Sequence, residues 1–184
     1  MKKTNAMRIL DGLKIPYQVR EYDDNLDHEL SKGAALQTAQ KLGVNPDSVY
    51  KTIVMRTDSK EIFVFCQSAD VEINLKKARA IVGCKEINPI KPEELQSLTG
   101  YIRGGCSPLG MKKQYPTFID EMATLQDEIC ISAGQRGVQL IISPADLAKA
   151  TNAQFVDLAL YKKRFGAEDE KKLKRNFRKT NPLF

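Results

Sequence analysis

A chain of 184 residues with 42% hydrophobic and 28% charged residues has the size and composition of one globular domain, or of one domain with an appendage. Its longest apolar runs, such as Ile62 to Cys66, fall far short of the roughly 18 residues a membrane span needs, and Arg8, Asp11 and Lys14 break any apolar stretch behind the basic start, against a secretory leader. The formal charge of +6 is unevenly placed: residues 160 to 184 hold nine Lys or Arg and three Asp or Glu, residues 1 to 159 twenty of each, so a neutral domain over 1–159 with a basic tail over 160–184 is expected.

In chain order, Ala6, Met7, Leu10 and Leu13 recur at helical spacing behind Thr4 and Asn5, which predicts a helix over about 4–13 closed by Ile15-Pro16. Residues 17–22 alternate and predict a strand with Tyr17, Val19 and Tyr22 inward. Ala35, Leu36, Ala39 and Leu42 predict a second helix stopped by Gly43, with a turn at Asn45-Pro46-Asp47. Val49 to Met55 and Glu61 to Cys66 read as a central hairpin around Thr57 to Lys60. Helices follow at 75–82, stopped by Gly83, and from Pro92. Short strands are expected at 117–119, 128–132 and 138–142, the last two joined by a loop over 133–137, and Ser143-Pro144 opens a further helix. In the tail, Leu173 and Phe177 sit four apart among basic side chains, as in a basic helix. Helices interspersed with hairpins predict a mixed α/β (α+β) fold: a mostly antiparallel, barrel-like sheet with covering helices.

Four cysteines, Cys66, Cys84, Cys106 and Cys130, stand 18, 22 and 24 residues apart with no Cys-x-x-Cys pair, and His28 is the single histidine. That pattern offers no zinc or redox motif, and no phosphate loop or dinucleotide fingerprint accompanies it. No metal, no cofactor, and reduced thiols in a cytoplasm are the expectation.

Two places could carry chemistry. On a strand from Val49 to Met55, Lys51 shares a face with Val49, Ile53 and Met55, an ammonium among apolar neighbours; it either snorkels to water or grips a phosphate or carbonyl oxygen. The adjacent glycines Gly104-Gly105 could open backbone N–H groups to an oxyanion, or simply make a turn; Ser132-Ala133-Gly134 offers the same choice. Cys106 would need a base to become a nucleophile, and only His28 could serve.

Val49-Tyr50-Lys51-Thr52, Gly104-Gly105-Cys106-Ser107-Pro108-Leu109-Gly110 and Ser132-Ala133-Gly134-Gln135-Arg136-Gly137 occur in that order. With Thr4 to Arg8 and Leu42 to Pro46 they resemble the YbaK/EbsC-type Cys-tRNA(Pro) deacylases over about residues 4–159. The resemblance implies an editing domain, related to the insertion domain of prolyl-tRNA synthetases, that hydrolyses mischarged Cys-tRNA(Pro) in trans without metal or cofactor. It implies Lys51, Gly104, Gly105 and Ser132 as catalytic residues, and Tyr22, Thr52, Cys106, Ser107, Pro108 and Gly134 as substrate-binding ones. The implied partners are the 3' acceptor end of an aminoacyl-tRNA and prolyl-tRNA synthetase. The family's chemistry implies attack by the substrate's own thiol, so that no protein nucleophile is needed. The stretch Asp23 to Gly33 is longer than the family pattern and lacks an aromatic that the family can place there. Two other readings stay open: a non-catalytic tRNA- or synthetase-binding module, and a deacylase for another small amino acid, such as Ala-tRNA(Pro).

Overall fold

The computed structural model describes residues 2–24 and 34–158. The basic tail and His28 lie outside them. Thr4 caps helix α1 (Asn5–Gly12) by accepting from the Met7 amide, and the helix buries Ala6, Met7 and Leu10. Asn74, Ser143 and the left-handed Gly83 bound helices α3 (Leu75–Val82) and α5 (Pro144–Thr151) as their types dictate. Between these lie α2 (Ala34–Leu42) and α4 (Pro92–Thr99).

Among the described residues, eight strands form two sheets. Strands β1 (Gln18–Glu21), β7 (Val138–Ile142) and β6 (Ile129–Gln135) make an antiparallel three-stranded sheet in the order β1-β7-β6. Strands β2 (Tyr50–Thr57), β3 (Ile62–Ser68), β4 (Ile87–Pro89), β5 (Thr117–Asp120) and β8 (Gln154–Val156) make the other, in the order β4-β2-β3-β5-β8. The hairpin β2–β3 is central, as expected; β3–β5 and β5–β8 are parallel. A single parallel bridge, Val49 to Cys130, joins the two sheets, which do not close into a barrel.

The main core fills the space between the sheets. Tyr50, Val54, Val64 and Cys66 from one meet Ile129, Ile131, Ala133, Leu140 and Ile142 from the other, with α1 and Leu147 closing the ends. On the outer faces, α3 packs Ala78 against Met55 and Phe65, while Ala39 of α2 packs over Val49, Cys130 and Ile141. Burial of these apolar faces, at about 25 cal/mol per Å² removed from water, drives the association of sheets and helices.

Three expectations need correction. Strand β1 is exposed at every position and Val19 faces solvent at 38% exposure, because β1 is an edge strand paired on one side and, among the described residues, none covers its outer face. The loop expected over 133–137 is mostly strand: β6 runs to Gln135 with its register broken between Ser132 and Gln135, and only Arg136-Gly137 turns. Strands β4 and β8 lie where the sequence reading placed none; three residues at a sheet edge are too few to show a period.

Candidate active site

Strand alternation makes the site. Ala69, Val49, Cys130 and Ile141 form an apolar row across four strands beneath α2. Two residues along each strand a second row follows: Gln67 pairs with Lys51 across β2–β3, and Ser132 pairs with Gln139 across β6–β7. The parallel bridge at Val49 and Cys130 puts Lys51 level with Ser132, on the same faces as that pair. Gln67, Lys51, Ser132 and Gln139 therefore make a polar row spanning both sheets, between the apolar patch under α2 and the one under α3. Gln67, Ser132 and Gln139 are buried at 0, 9 and 6% exposure; Lys51 is half-buried.

The Lys51 ammonium donates to the carbonyls of Val71 at 2.6 Å and Ala69 at 3.3 Å, in the turn after β3. Those two bonds use two of its three N–H donors. Burial lowers its pKa from the ordinary lysine value, and the carboxylates of Glu72 and Asp70 oppose that fall. The result is a cation held by neutral oxygens with a donor left over, suited to an incoming carbonyl or phosphate oxygen.

Ser132 turns inward on the bulge: its Oγ accepts from the Gly134 amide at 3.2 Å. Gly134 takes φ +91°, open to glycine and strained for other residues. The Gly104 loop docks on this bulge. Gly104 is exposed at φ +86°, while Gly105 is buried so close to the turn that a Cβ on it would lie 3.1 Å from the Arg136 nitrogen. Tyr101 donates its hydroxyl to the Leu109 carbonyl at 2.6 Å, and Asn5 from α1 donates to the Gly110 carbonyl at 2.8 Å. Tyr22 reaches the same end of the site: its amide donates to the Gly137 carbonyl at 2.9 Å, and the Lys41 ammonium sits 5.6 Å from its ring centroid. Asp24 ties this strap to Arg136 through a 2.6 Å ion pair.

The fold thus gathers Lys51 and Ser132 in one row and joins Gly105, Gly134 and Tyr22 to it through the β6–β7 turn. Other expected residues sit differently. Thr52 is on the opposite face of β2 from Lys51, paired in register with Cys66, and its hydroxyl interacts with that thiol. Ser107 is fully buried and its Oγ accepts from the Leu109 amide at 3.3 Å, so it serves the loop's own turn; Pro108 is buried beside it. Burial pushes the Cys106 thiol up to about 12, a Thr99 hydroxyl only partly offsetting it, so the thiolate a nucleophile needs is scarce. Gln67 and Gln139 were not singled out in the sequence, although each breaks an apolar strand at the position where its neighbour across the ladder is polar.

A family model for the aminoacyl-tRNA editing domain matches residues 31–150. The chain belongs to the aminoacyl-tRNA editing family. This editing domain is 37% identical over 157 residues, 85% of its own length and 93% of the relative's, to an Enterococcus faecalis protein provisionally named the Cys-tRNA(Pro)/Cys-tRNA(Cys) deacylase EbsC. It is 23% identical over 127 residues to the uncharacterized Bacillus subtilis protein YwhH, covering 69% of the editing domain's chain and 80% of that relative. A crystal structure described provisionally as a trans-editing enzyme for prolyl tRNA synthetase superposes with a TM-score of 0.71 at 24% identity, covering 88% of this chain and all of that one; at that identity it speaks for the fold.

Proposed function

We propose that the chain removes cysteine wrongly esterified to proline tRNA, acting in trans on the acceptor end of the released aminoacyl-tRNA. The observation that carries this is the polar row, in which a half-buried ammonium stands level with Ser132 and no described thiol is poised to attack, since burial raises Cys106 and Cys66 alike to about 12. Such a site can hold an ester and stabilise charge on its oxygen, and it leaves the nucleophile to the substrate. The cysteinyl thiol attacks its own ester carbonyl: the carbon–sulfur bond forms, the bond to the ribose oxygen breaks, that oxygen takes the thiol's proton, and water opens the thiolactone. Holding thiol and ester together supplies several kcal/mol through effective molarity. One positioned oxyanion donor adds about 10²- to 10³-fold.

In this reading Lys51 and the exposed Gly104 amide meet the ester oxygen, while the Gly105 amide is spent on the Ile102 carbonyl at 3.0 Å and holds the loop's turn; Ser132 and Gly134 shape the floor, and Tyr22 walls the mouth. Cys106 and Pro108 shape the loop, and prolyl-tRNA synthetase supplies the tRNA choice, a partnership suggested by the name of the structural neighbour. The test is deacylation of preformed Cys-, Ala- and Ser-tRNA(Pro) by the purified chain. Preferential cleavage of the cysteinyl ester is expected. Equal rates for serine and cysteine would remove thiol assistance; preference for alanine would reassign the acyl group; binding without turnover would make the chain a non-catalytic module.

A further inference from the structure

The carbonyl oxygen of Val71 accepts two hydrogen bonds, one from Lys51 Nζ at 2.6 Å and one from Gln67 Nε2 at 2.9 Å. A carbonyl has two lone pairs, so both are occupied. The two donors face each other on the β2–β3 ladder, yet they differ in freedom. Lys51 is half-exposed and carries its charge on a rotatable four-carbon stem. Gln67 is fully enclosed. Its Oε1 is the one buried side-chain nitrogen or oxygen left without a partner among the described residues.

An empty buried acceptor is unfavourable and calls for an explanation. Methionine in the same space would carry no such orphan, and Val71 would still be satisfied by Lys51 for as long as Lys51 stays on it. Glutamine gains a use only when Lys51 leaves.

We infer that Gln67 is a positioning residue for Lys51: by satisfying the Val71 carbonyl on its own, it lets the ammonium exchange that carbonyl for the ester oxygen. The inference rests on the role proposed above for Lys51. In this structure the ammonium rests on the turn, with Glu72 and Asp70, the flanking carboxylates of the same turn, favouring its charged form. When the aminoacyl end enters, the ammonium gives up Val71 and takes the substrate oxygen, and Gln67 Nε2 keeps the carbonyl paired. Without that amide, the same movement leaves the part-buried Val71 carbonyl with no protein donor, and the penalty falls only on states in which Lys51 holds substrate.

The experiment is steady-state kinetics on Cys-tRNA(Pro) with the full chain, for Gln67→Met, Lys51→Ala, the double variant and Gln67→Glu. Gln67→Met is expected to lower kcat/KM by a few-fold to about tenfold, as a part-buried acceptor left without a donor does, and to cost nothing further in the Lys51→Ala background. Gln67→Glu places a third carboxylate, beside Asp70 and Glu72, directly across from the ammonium; the alkaline limb of kcat/KM should move to higher pH. A glutamine that merely supports the fold would give losses that add to those of Lys51→Ala, and that outcome overturns the inference while the role of Lys51 stands. Full activity in Lys51→Ala, or no cleavage by the parent chain, overturns both. Should Gln67→Met fail to fold, the same comparison with Gln67→Leu, alone and in the Lys51→Ala background, decides.

Discussion

Gly134 lies against the ring of Tyr101, so that a Cβ added to it would fall 2.7 Å from Cε1. The contact ties the bulge of β6, which carries Ser132, to the first residue of the Gly104 loop, and the Tyr101 hydroxyl then reaches across to the far end of that loop at Leu109. Gly134→Ala combines a left-handed backbone at φ +91° with overlap against an aromatic carbon. A loss of roughly 2–4 kcal/mol is expected, read as a lower denaturation midpoint, with kcat/KM falling as the loop moves. A variant as stable as the parent would show that bulge and loop are not rigidly coupled.

For Lys51→Ala the expected loss in kcat/KM is about 10²- to 10³-fold with the melting temperature little changed. Because burial lowers its pKa from the ordinary lysine value, activity that depends on the ammonium should decline on the alkaline side before an ordinary lysine would titrate. Lys51→Arg keeps a charge that does not titrate, so its pH–rate profile should lack that limb. Persistence of the limb in Lys51→Arg would assign it to another group.

Glu121 follows β5, and burial, reinforced by Asp157 and Asp120 and opposed by Lys77, raises its carboxyl pKa to about 7. A carboxyl raised in the folded state binds more protons there than in the unfolded chain, so its contribution to stability is lost as pH rises from about 4.5 to about 7. Glu121→Gln should therefore stabilise the protein at pH 8, on the order of 1 kcal/mol, and should have little effect at pH 4. Equal melting shifts at both pH values would rule this out.

Cys106→Ala should retain parental kcat/KM within a few-fold, since a thiol raised to about 12 supplies almost no thiolate at neutral pH. A loss approaching that of Lys51→Ala would make Cys106 a participant in the chemistry.

Removing residues 160–184, with nine basic and three acidic side chains, should weaken tRNA binding and flatten the dependence of log Kd on log salt. Turnover at saturating substrate should stay near the parent value. Identical salt slopes for the two proteins would deny the tail a part in binding.

Most helices were legible because caps and periods are local. Thr4, Gly83 and Ser143 mark their ends in the sequence as they do in the structure. The strand pairings were legible only where a hairpin makes them local, as at β2–β3. Val19 was misplaced because alternation shows that a strand has two faces but not which of them finds a cover. Lys51 stood out as a charge on an apolar face. Its relation to Ser132 did not, because that depends on one bridge between Val49 and Cys130, residues 81 positions apart; Gln67 was hidden for the same reason, its meaning coming from a carbonyl in the following turn.

The pairing of Gln18–Glu21 with Val138–Ile141 fixes a timetable for assembly. During synthesis the first helix and strand must wait for more than a hundred further residues before their partners leave the ribosome, so the three-stranded sheet closes late and through high contact order. Lys51 and Ser132 belong to different sheets and are level only after that closure. A nascent or truncated chain that lacks residues 129–142 thus holds the lysine without the strand that carries Ser132.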